Sequence, residues 1–196
     1  PGLYGLFFNP PVLDLAETIL GPEVRLYPNY TARPKMPQHE ASLVLWHQDA
    51  GYTAAKENPE GLTPVDLRMV NVWSPLVPAR PENGCMQFVP GTHKLGVVPH
   101  VSRRYYLEII DPTYAPLFEK AVSIELDPGD VVLFSNLLFH QGLPNRSSTV
   151  RWNLDWRYHD ARQPTLRKEQ GHIARSRSNP TRAVRSAEEW AQSQFS

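Results

Sequence analysis

Three residues in this sequence have the types and spacing that bind a divalent metal ion. His47 and Asp49 flank Gln48 at the end of an apolar run, and a strand there would send both side chains to one face. His140 closes a second apolar run about ninety residues later and is the candidate for a third ligand. Two imidazoles and a carboxylate form the facial triad of non-haem Fe(II) oxygenases, which leaves coordination positions open for a co-substrate and O₂.

An arginine follows the third candidate ligand at the separation of a hairpin. Arg151 lies eleven residues beyond His140, across the polar turn 141–148, so we expect it to return beside the metal strand. The planar guanidinium binds a carboxylate through two N–H donors. The expected ligand is the distal carboxylate of 2-oxoglutarate, whose keto-acid end chelates iron.

The strand predicted over 149–159 has one apolar face and one polar face. Arg151, Asn153 and Arg157 lie on the polar face by the alternation of side chains. The apolar face must be buried, whereas the polar face could point to solvent or to a polar cavity inside a barrel. If it points to a cavity, Asn153 and Arg157 are candidates for contacting the substrate.

The elements around these residues are short and separated by turns. Twenty prolines and eleven glycines are scattered through the chain, which favours an all-β domain. Strands are predicted over 24–30, 42–49, 67–76, 85–89, 121–126, 131–139 and 149–159. Helices are predicted at 10–20, after Asn9, and from Asn179-Pro180 onward. Residues 95–120 form a long excursion that we expect to lie over the barrel mouth.

Composition limits the possible partners and location. The chain has 196 residues, with 20 Lys plus Arg and 20 Asp plus Glu, so we expect one domain over 1–196 and no nucleic-acid partner. A single cysteine, Cys85, and no apolar run long enough to span a membrane favour a cytoplasmic protein. The opening Pro1-Gly2 led us to expect that a native N-terminal segment is missing. A monomer is compatible with the sequence, which does not determine the oligomeric state.

Four segments form a specific combination. They are Leu20-Gly21-Pro22-Glu23-Val24, then Trp46-His47-Gln48-Asp49, then Glu82-Asn83-Gly84-Cys85 through Val89-Pro90-Gly91-Thr92-His93, and finally Pro128-Gly129-Asp130 through His140, Asn145 and Arg151. Together they resemble the phytanoyl-CoA dioxygenase family of Fe(II)/2-oxoglutarate oxygenases. The resemblance implies a double-stranded β-helix, the jelly-roll barrel also used by cupins, with flanking helices and with iron near one open end.

The resemblance also implies roles for individual residues. It assigns His47, Asp49 and His140 as iron ligands and Arg151 as the clamp for 2-oxoglutarate. It places Trp73 beside the co-substrate and Gln48 on the substrate side. The chain departs from the family at Gly142, where many members carry a serine whose hydroxyl helps the arginine. We expect Thr149 or a water molecule to replace that hydroxyl.

The leading hypothesis is a dioxygenase that hydroxylates a small molecule while 2-oxoglutarate is converted to succinate and CO₂. Halogenation is disfavoured because Asp49 takes the position that a halide would need. A zinc-dependent hydrolase uses the same ligand types, and a metal-free jelly-roll binding module is the third alternative. The remaining histidines, His39, His93, His100, His159 and His172, are expected to be turn or surface residues. Tyr105 and Tyr106 are candidates for a lid.

Overall fold

The structure is a computed structural model that describes residues 2–54, 63 and 65–193. Across these ranges the strands are β1 Glu23–Leu26, β2 Thr31–Lys35, β3 Val44–His47, β4 Met69–Pro75, β5 Met86–Phe88, β6 Val101–Ser102, β7 Leu107–Glu108, β8 Val122–Ile124, β9 Val132–Ser135, β10 His140–Gly142, β11 Arg151–Asp160 and β12 His172–Ser176. The α-helices are α1 Gly2–Phe7, α2 Pro10–Leu20, α3 Asp49–Ala54, α4 Ala115–Phe118 and α5 Ala187–Gln192. Short 3₁₀ turns join several of these elements.

The chain divides into two compact units. The first comprises Pro1–Tyr30, Lys56–Val72 and Trp156–Ser196, and the second comprises Thr31–Ala55 and Trp73–Asp155. Strands β4 and β11 contribute residues to both units. The expectation of one domain over the whole chain stays a prediction.

In the first unit, β1 pairs antiparallel with β12 on one side and with the second half of β11 on the other. Helix α2 begins where it was predicted, because the Asn9 side chain accepts a hydrogen bond from the Val12 N–H at 3.3 Å. It ends before Gly21, whose φ of +92° is easily adopted only without a side chain. Phe7 packs its ring against Trp156 and Trp190, which anchors α1 in the apolar core of this unit.

In the second unit, a four-stranded antiparallel sheet has the order β3-β10-β5-β8. The first half of β11 pairs with β2, with Arg151 opposite Lys35, and β4 lies between β11 and β9. Trp73, Cys85 and Phe88 belong to an apolar cluster that is buried in this unit. Cys85 is therefore a core residue.

Two details of the predicted strands were wrong. The run 131–139 is not one strand that His140 closes, since β9 ends at Ser135, whose carbonyl accepts a bond from the Leu138 N–H at 3.0 Å in a turn. His140 instead begins β10 and pairs with β3 and β5. The predicted hairpin between β10 and β11 is consequently absent from the described pairings. The run 42–49 also stops at His47, and Asp49 begins helix α3.

Other expectations were corrected in the first unit. Helix α5 begins at Ala187 after Ser186, whose hydroxyl accepts a bond from the Glu189 N–H at 3.1 Å, whereas Asn179-Pro180 begins only one 3₁₀ turn. His159 is fully buried and His172 is nearly so, so neither is the surface residue expected. Among the described helices, none is long and apolar enough to cross a membrane.

Candidate metal centre

Two histidines face each other across neighbouring strands. His47 ends β3 and His140 begins β10, and the two are direct cross-strand partners. His47 Nδ1 lies 2.7 Å from the Leu45 carbonyl, and His140 Nδ1 lies 2.8 Å from the Leu138 carbonyl. A carbonyl only accepts, so each Nδ1 must carry a proton, and in the neutral imidazole Nε2 then has the lone pair that can bind a metal. Hydrogen bonds of this type fix the tautomer of metal-binding histidines.

Asp49 completes the group from the first turn of α3. Its Oδ1 lies 3.7 Å from His47 Nε2, and its Oδ2 lies 3.9 Å from His140 Nε2. One ligand atom from each of the three residues lies within 4.8 Å of the others. One ion can therefore contact all three. We predicted these ligands from the alternation of side chains along one strand. In the structure, Asp49 instead reaches the histidines because the chain turns from β3 into α3 between His47 and Asp49.

Gln48, which separates the two ligand candidates along the chain, is fully buried. Its Nε2 donates to the Gly96 and Leu137 carbonyls at 2.7 Å each, and its Oε1 accepts from the Val98 N–H at 2.9 Å. Its backbone N–H donates to His100 Nε2 at 2.9 Å, so His100 is a half-buried support and not the surface residue expected. The side chain of Gln48 thus holds three backbone groups, and its substrate contact, implied by the resemblance, stays a prediction.

Arg151 is buried in the second unit and is held by three neighbours. Its Nη2 donates to the Gly84 carbonyl at 2.7 Å, and its Nη1 donates to Asn153 Oδ1. The guanidinium carbon lies 5.2 Å from the centroid of the Trp73 ring, within the range of a cation–π contact. Burial lowers the pKa of Arg151 to about 10. Among the described residues, Arg151 Nε and Asn153 Nδ2 have no hydrogen-bond partner.

Burial along β11 favours one of the two interpretations of its polar face at two positions. Arg151 and Asn153 are buried, whereas Trp152 on the apolar face is 42% exposed. The polar face is therefore internal at Arg151 and Asn153, which favours a polar cavity there, but Asp155 on the same face is half-buried and Leu154 on the apolar face is buried. Arg157 belongs to the first unit, and its role stays a prediction. Thr149 is exposed, so the replacement expected for the missing serine lies at the surface.

A buried lysine near Arg151 was missed in the sequence. Lys35 ends β2, and its Nζ donates to the Gly142 carbonyl at 2.9 Å. β2 itself was not predicted, because its sequence Thr31–Lys35 contains a proline and two basic residues and has no apolar alternation. In the sequence, the glycine at position 142, where many family members have a serine, was the feature that marked the position contacted by Lys35.

Comparisons with known proteins agree with this geometry. The sequence model of the family described as phytanoyl-CoA dioxygenase matches residues 1–152. The chain is 28% identical over 169 residues to a 1-deoxypentalenic acid 11-beta-hydroxylase from Streptomyces arenae, covering 80% of this chain and 56% of that protein. The chain spans between 32% and 56% of the length of three curated relatives that it matches.

Solved structures show the same fold. The apo form of the non-haem monooxygenase ThoJ superposes with a TM-score of 0.68 at 24% identity, covering 92% of this chain and 63% of that one. EvdO2 from Micromonospora carbonacea var. aurantiaca, complexed with 2-oxoglutarate, gives a TM-score of 0.57 at 25% identity, covering 74% of this chain and 57% of that one. The fold is the double-stranded β-helix of cupin-like non-haem oxygenases, as predicted.

Proposed function

The chain belongs to the phytanoyl-CoA dioxygenase family, and on that premise we propose that it is an Fe(II)- and 2-oxoglutarate-dependent dioxygenase that hydroxylates a small molecule. The observation that carries the proposal is the convergence of His47, Asp49 and His140 within 4.8 Å. Both imidazoles direct Nε2 toward the carboxylate, because each Nδ1–H donates to the carbonyl two residues earlier in the chain. This donor set fits Fe(II) and leaves half of an octahedral shell open.

Different residues of the second unit would bind the iron, bind 2-oxoglutarate and orient the binding groups. His47, Asp49 and His140 would hold the iron, and the bound iron with 2-oxoglutarate and O₂ would supply the oxidising chemistry. Arg151 would bind the distal carboxylate of 2-oxoglutarate, since its buried Nε lacks a partner among the described residues. Trp73 and Asn153 would orient the guanidinium through the contacts already described. Pre-oriented donors of this kind lose little freedom when the ligand binds.

The zinc hydrolase remains a second candidate, because the same donor set binds Zn²⁺. The buried guanidinium of Arg151 distinguishes the two proposals. A hydrolase has no general need for a buried cation without an anionic partner, whereas a 2-oxoglutarate enzyme requires one. A metal-free binding module gives no reason for the two oriented imidazoles.

The test is spectroscopic and is performed without oxygen. Adding Fe(II) and 2-oxoglutarate to the full chain should produce a weak visible charge-transfer band, and His140→Ala should abolish it. His93→Ala is the matched control, because His93 is an exposed turn histidine and should leave the band intact. Admitting oxygen with substrate should then release succinate. An iron-loaded protein without the band, or activity that follows zinc content and not iron content, would refute the proposal.

We also propose a small-molecule substrate and a cytoplasmic location, with neither nucleic acid nor membrane as partner. A cavity of about 570 Å³ is of the size that binds small molecules, which supports the first point. It is lined by Gln38, His39, Glu40, Ala41, Leu43, Arg104, Tyr105 and Tyr106. This lining includes the two tyrosines predicted to act as a lid. Screening metabolite pools for substrate-dependent succinate release would identify the substrate.

A further inference from the structure

Lys35 and Arg151, which we call the cation pair, face each other across β2 and β11. They are register partners in the antiparallel ladder, so their side chains lie on the same face of the sheet. Lys35 is 3% exposed and Arg151 is 4% exposed. Burial, followed by the charge of Arg151, lowers the pKa of Lys35 to about 7. Two basic side chains are therefore buried side by side, and Lys35 carries its charge below about pH 7.

Two glycines make room for the lysine. A Cβ built on Gly84 would lie 2.7 Å from Lys35 Cδ and 2.8 Å from Lys35 Cε. A Cβ built on Gly142 would lie 2.9 Å from Lys35 Nζ. These distances are shorter than carbon contacts tolerate, so Lys35 runs through space that side chains at 84 and 142 would fill. The ammonium lies where a side chain at position 142 would begin.

Within the part of the chain that the structure describes, neither member of the cation pair forms an ion pair with a carboxylate, although the charge of Asp155 acts on Arg151 at longer range. In residues 2–54, 63 and 65–193, the ion pairs include neither Lys35 nor Arg151. A buried charge without a counter-ion costs several kcal/mol. Lys35 donates to the Gly142 carbonyl, which satisfies one of its three N–H groups. The arrangement therefore lacks one anion, and a carboxylate with two oxygen atoms would satisfy both cations.

We propose that Lys35 is a second cationic ligand for the distal carboxylate of 2-oxoglutarate, and that its ammonium replaces the serine hydroxyl that many family members place at position 142. The inference rests on the proposed function, because it needs 2-oxoglutarate at this site. Lys35 binds the co-substrate and does not take part in the oxidation. The glycine at position 142 leaves space that the long side chain of Lys35 from β2 occupies.

The test is an anaerobic titration of 2-oxoglutarate into the Fe(II)-loaded full chain, followed by the charge-transfer band. Lys35→Met should weaken binding by about 10- to 100-fold, with the same band at saturation and the same affinity for Fe(II). Lys35→Gln keeps an N–H donor for the Gly142 carbonyl and removes only the charge, so it should weaken binding to a similar degree. Lys120→Met is the matched control, since Lys120 is exposed, and it should bind as the wild type does.

Two further measurements separate a ligand from a structural support. The double variant Lys35→Met/Gly142→Ser places a hydroxyl in the vacated space and should recover part of the lost affinity. 2-Oxobutyrate lacks the distal carboxylate, so wild-type protein should bind it far more weakly than 2-oxoglutarate, and Lys35→Gln should reduce that preference. A lysine that only supported β10 would give neither result.

The pH profile is a third measurement. The titratable groups that act on Lys35 are the guanidinium of Arg151 on β11 and the thiol of Cys85 beside Gly84, whose own pKa is raised by burial. Below about pH 7 the ammonium is present, and above that pH binding must also take up a proton. Affinity for 2-oxoglutarate should thus fall as the pH rises from 6.5 to 8.5, by at most ~10-fold per pH unit, and the fall should be absent in Lys35→Gln.

Three outcomes would decide against the proposals. If wild-type protein shows the band and both Lys35 variants bind 2-oxoglutarate within about twofold of it, the inference is wrong and the proposed function stands. If both variants lose Fe(II) affinity in parallel with 2-oxoglutarate affinity, Lys35 is a structural support and the inference is again wrong. If iron-loaded wild-type protein never shows the band, the proposed function itself fails.

Discussion

The metal centre and the cation pair belong to the same unit but are built in opposite ways. In the metal centre each imidazole is oriented locally, because Nδ1 of His47 and of His140 donates to a carbonyl two residues earlier in the chain. In the cation pair, Lys35 and Arg151 come from strands far apart in sequence. Their positions depend on space left by Gly84 and on that glycine's carbonyl.

This difference predicts different responses to substitution. A locally oriented ligand can be removed without moving its neighbours, so its loss should affect metal binding and little else. A buried cation without an anion is unfavourable until its ligand arrives. Its removal should therefore weaken ligand binding and leave the metal centre intact. The following variants test this separation.

The largest effect is expected from His47→Ala. Removing a supporting residue behind a metal ligand typically costs about 10- to 100-fold in metal affinity, so removing the ligand itself should cost more than ~100-fold. Calorimetric titration with Mn(II) measures this loss. His93→Ala should bind Mn(II) normally. If His47→Ala bound the metal nearly as well as wild type, the three residues would not be one metal site.

Arg151→Ala should weaken 2-oxoglutarate binding by about 100-fold, as truncating one partner of a buried charge pair costs about 2–5 kcal/mol. Mn(II) affinity should not change, because the hydrogen bonds of Arg151 to described residues go to Gly84 and Asn153 and to none of the three ligand residues. Arg146→Ala, at an exposed arginine, is the control. A parallel loss of metal affinity in Arg151→Ala would show that the two regions are not separate.

Gln48→Ala tests the part of the metal centre that depends on distant segments. It leaves the Gly96 and Leu137 carbonyls and the Val98 N–H without their present partner, so we expect a loss of about 2 kcal/mol in the free energy of unfolding. Urea unfolding measures it. Gln141→Ala is the control, because Gln141 also follows a ligand histidine but donates only to the Gln87 side chain. A stability equal to wild type with a raised KM for substrate would support the substrate role.

A last effect, no larger than that of Gln48→Ala, concerns pH and the stability of the metal-free protein. Lys35 has a pKa of about 7 in the folded state and about 10.4 when unfolded. Between these values the unfolded state binds more protons, so wild-type stability should rise with pH. Relative to Lys35→Gln, it should gain about 2 kcal/mol from pH 6.5 to 8.5. Urea unfolding at both pH values checks this, and an unchanged difference would mean that folding does not lower the pKa of Lys35.

The same contrast explains what could be predicted from the sequence. His47 and Asp49 were recognisable because two ligands lie within three residues, and each predicted apolar run contains part of a strand. Lys35 was not recognisable, because its signals are two small residues elsewhere in the chain and a ladder partner on β11. Register between distant strands is set by tertiary packing, which one sequence does not reveal.

The errors of detail also have physical causes. A continuous apolar run does not show where it is interrupted, so the turn after Ser135 was missed and His140 was placed on the wrong strand. Strands β6 and β7 have two residues each, too few for a periodic signal. β2 and β12 are polar and carry no apolar alternation. Gln48 was assigned by resemblance, which did not reveal the three backbone groups that its amide contacts.

The pairing of His47 with His140 has a consequence for local opening of the sheet. β10 is three residues long, and a bulge interrupts its ladder to β3 between His140 and Gly142. Short, irregular ladders open more readily than long ones, and their amides exchange with solvent hydrogen sooner. An ion held by both histidines would link the two strands as a covalent bridge does. Metal should therefore slow amide exchange in Val44–His47 and His140–Gly142 far more than in β12.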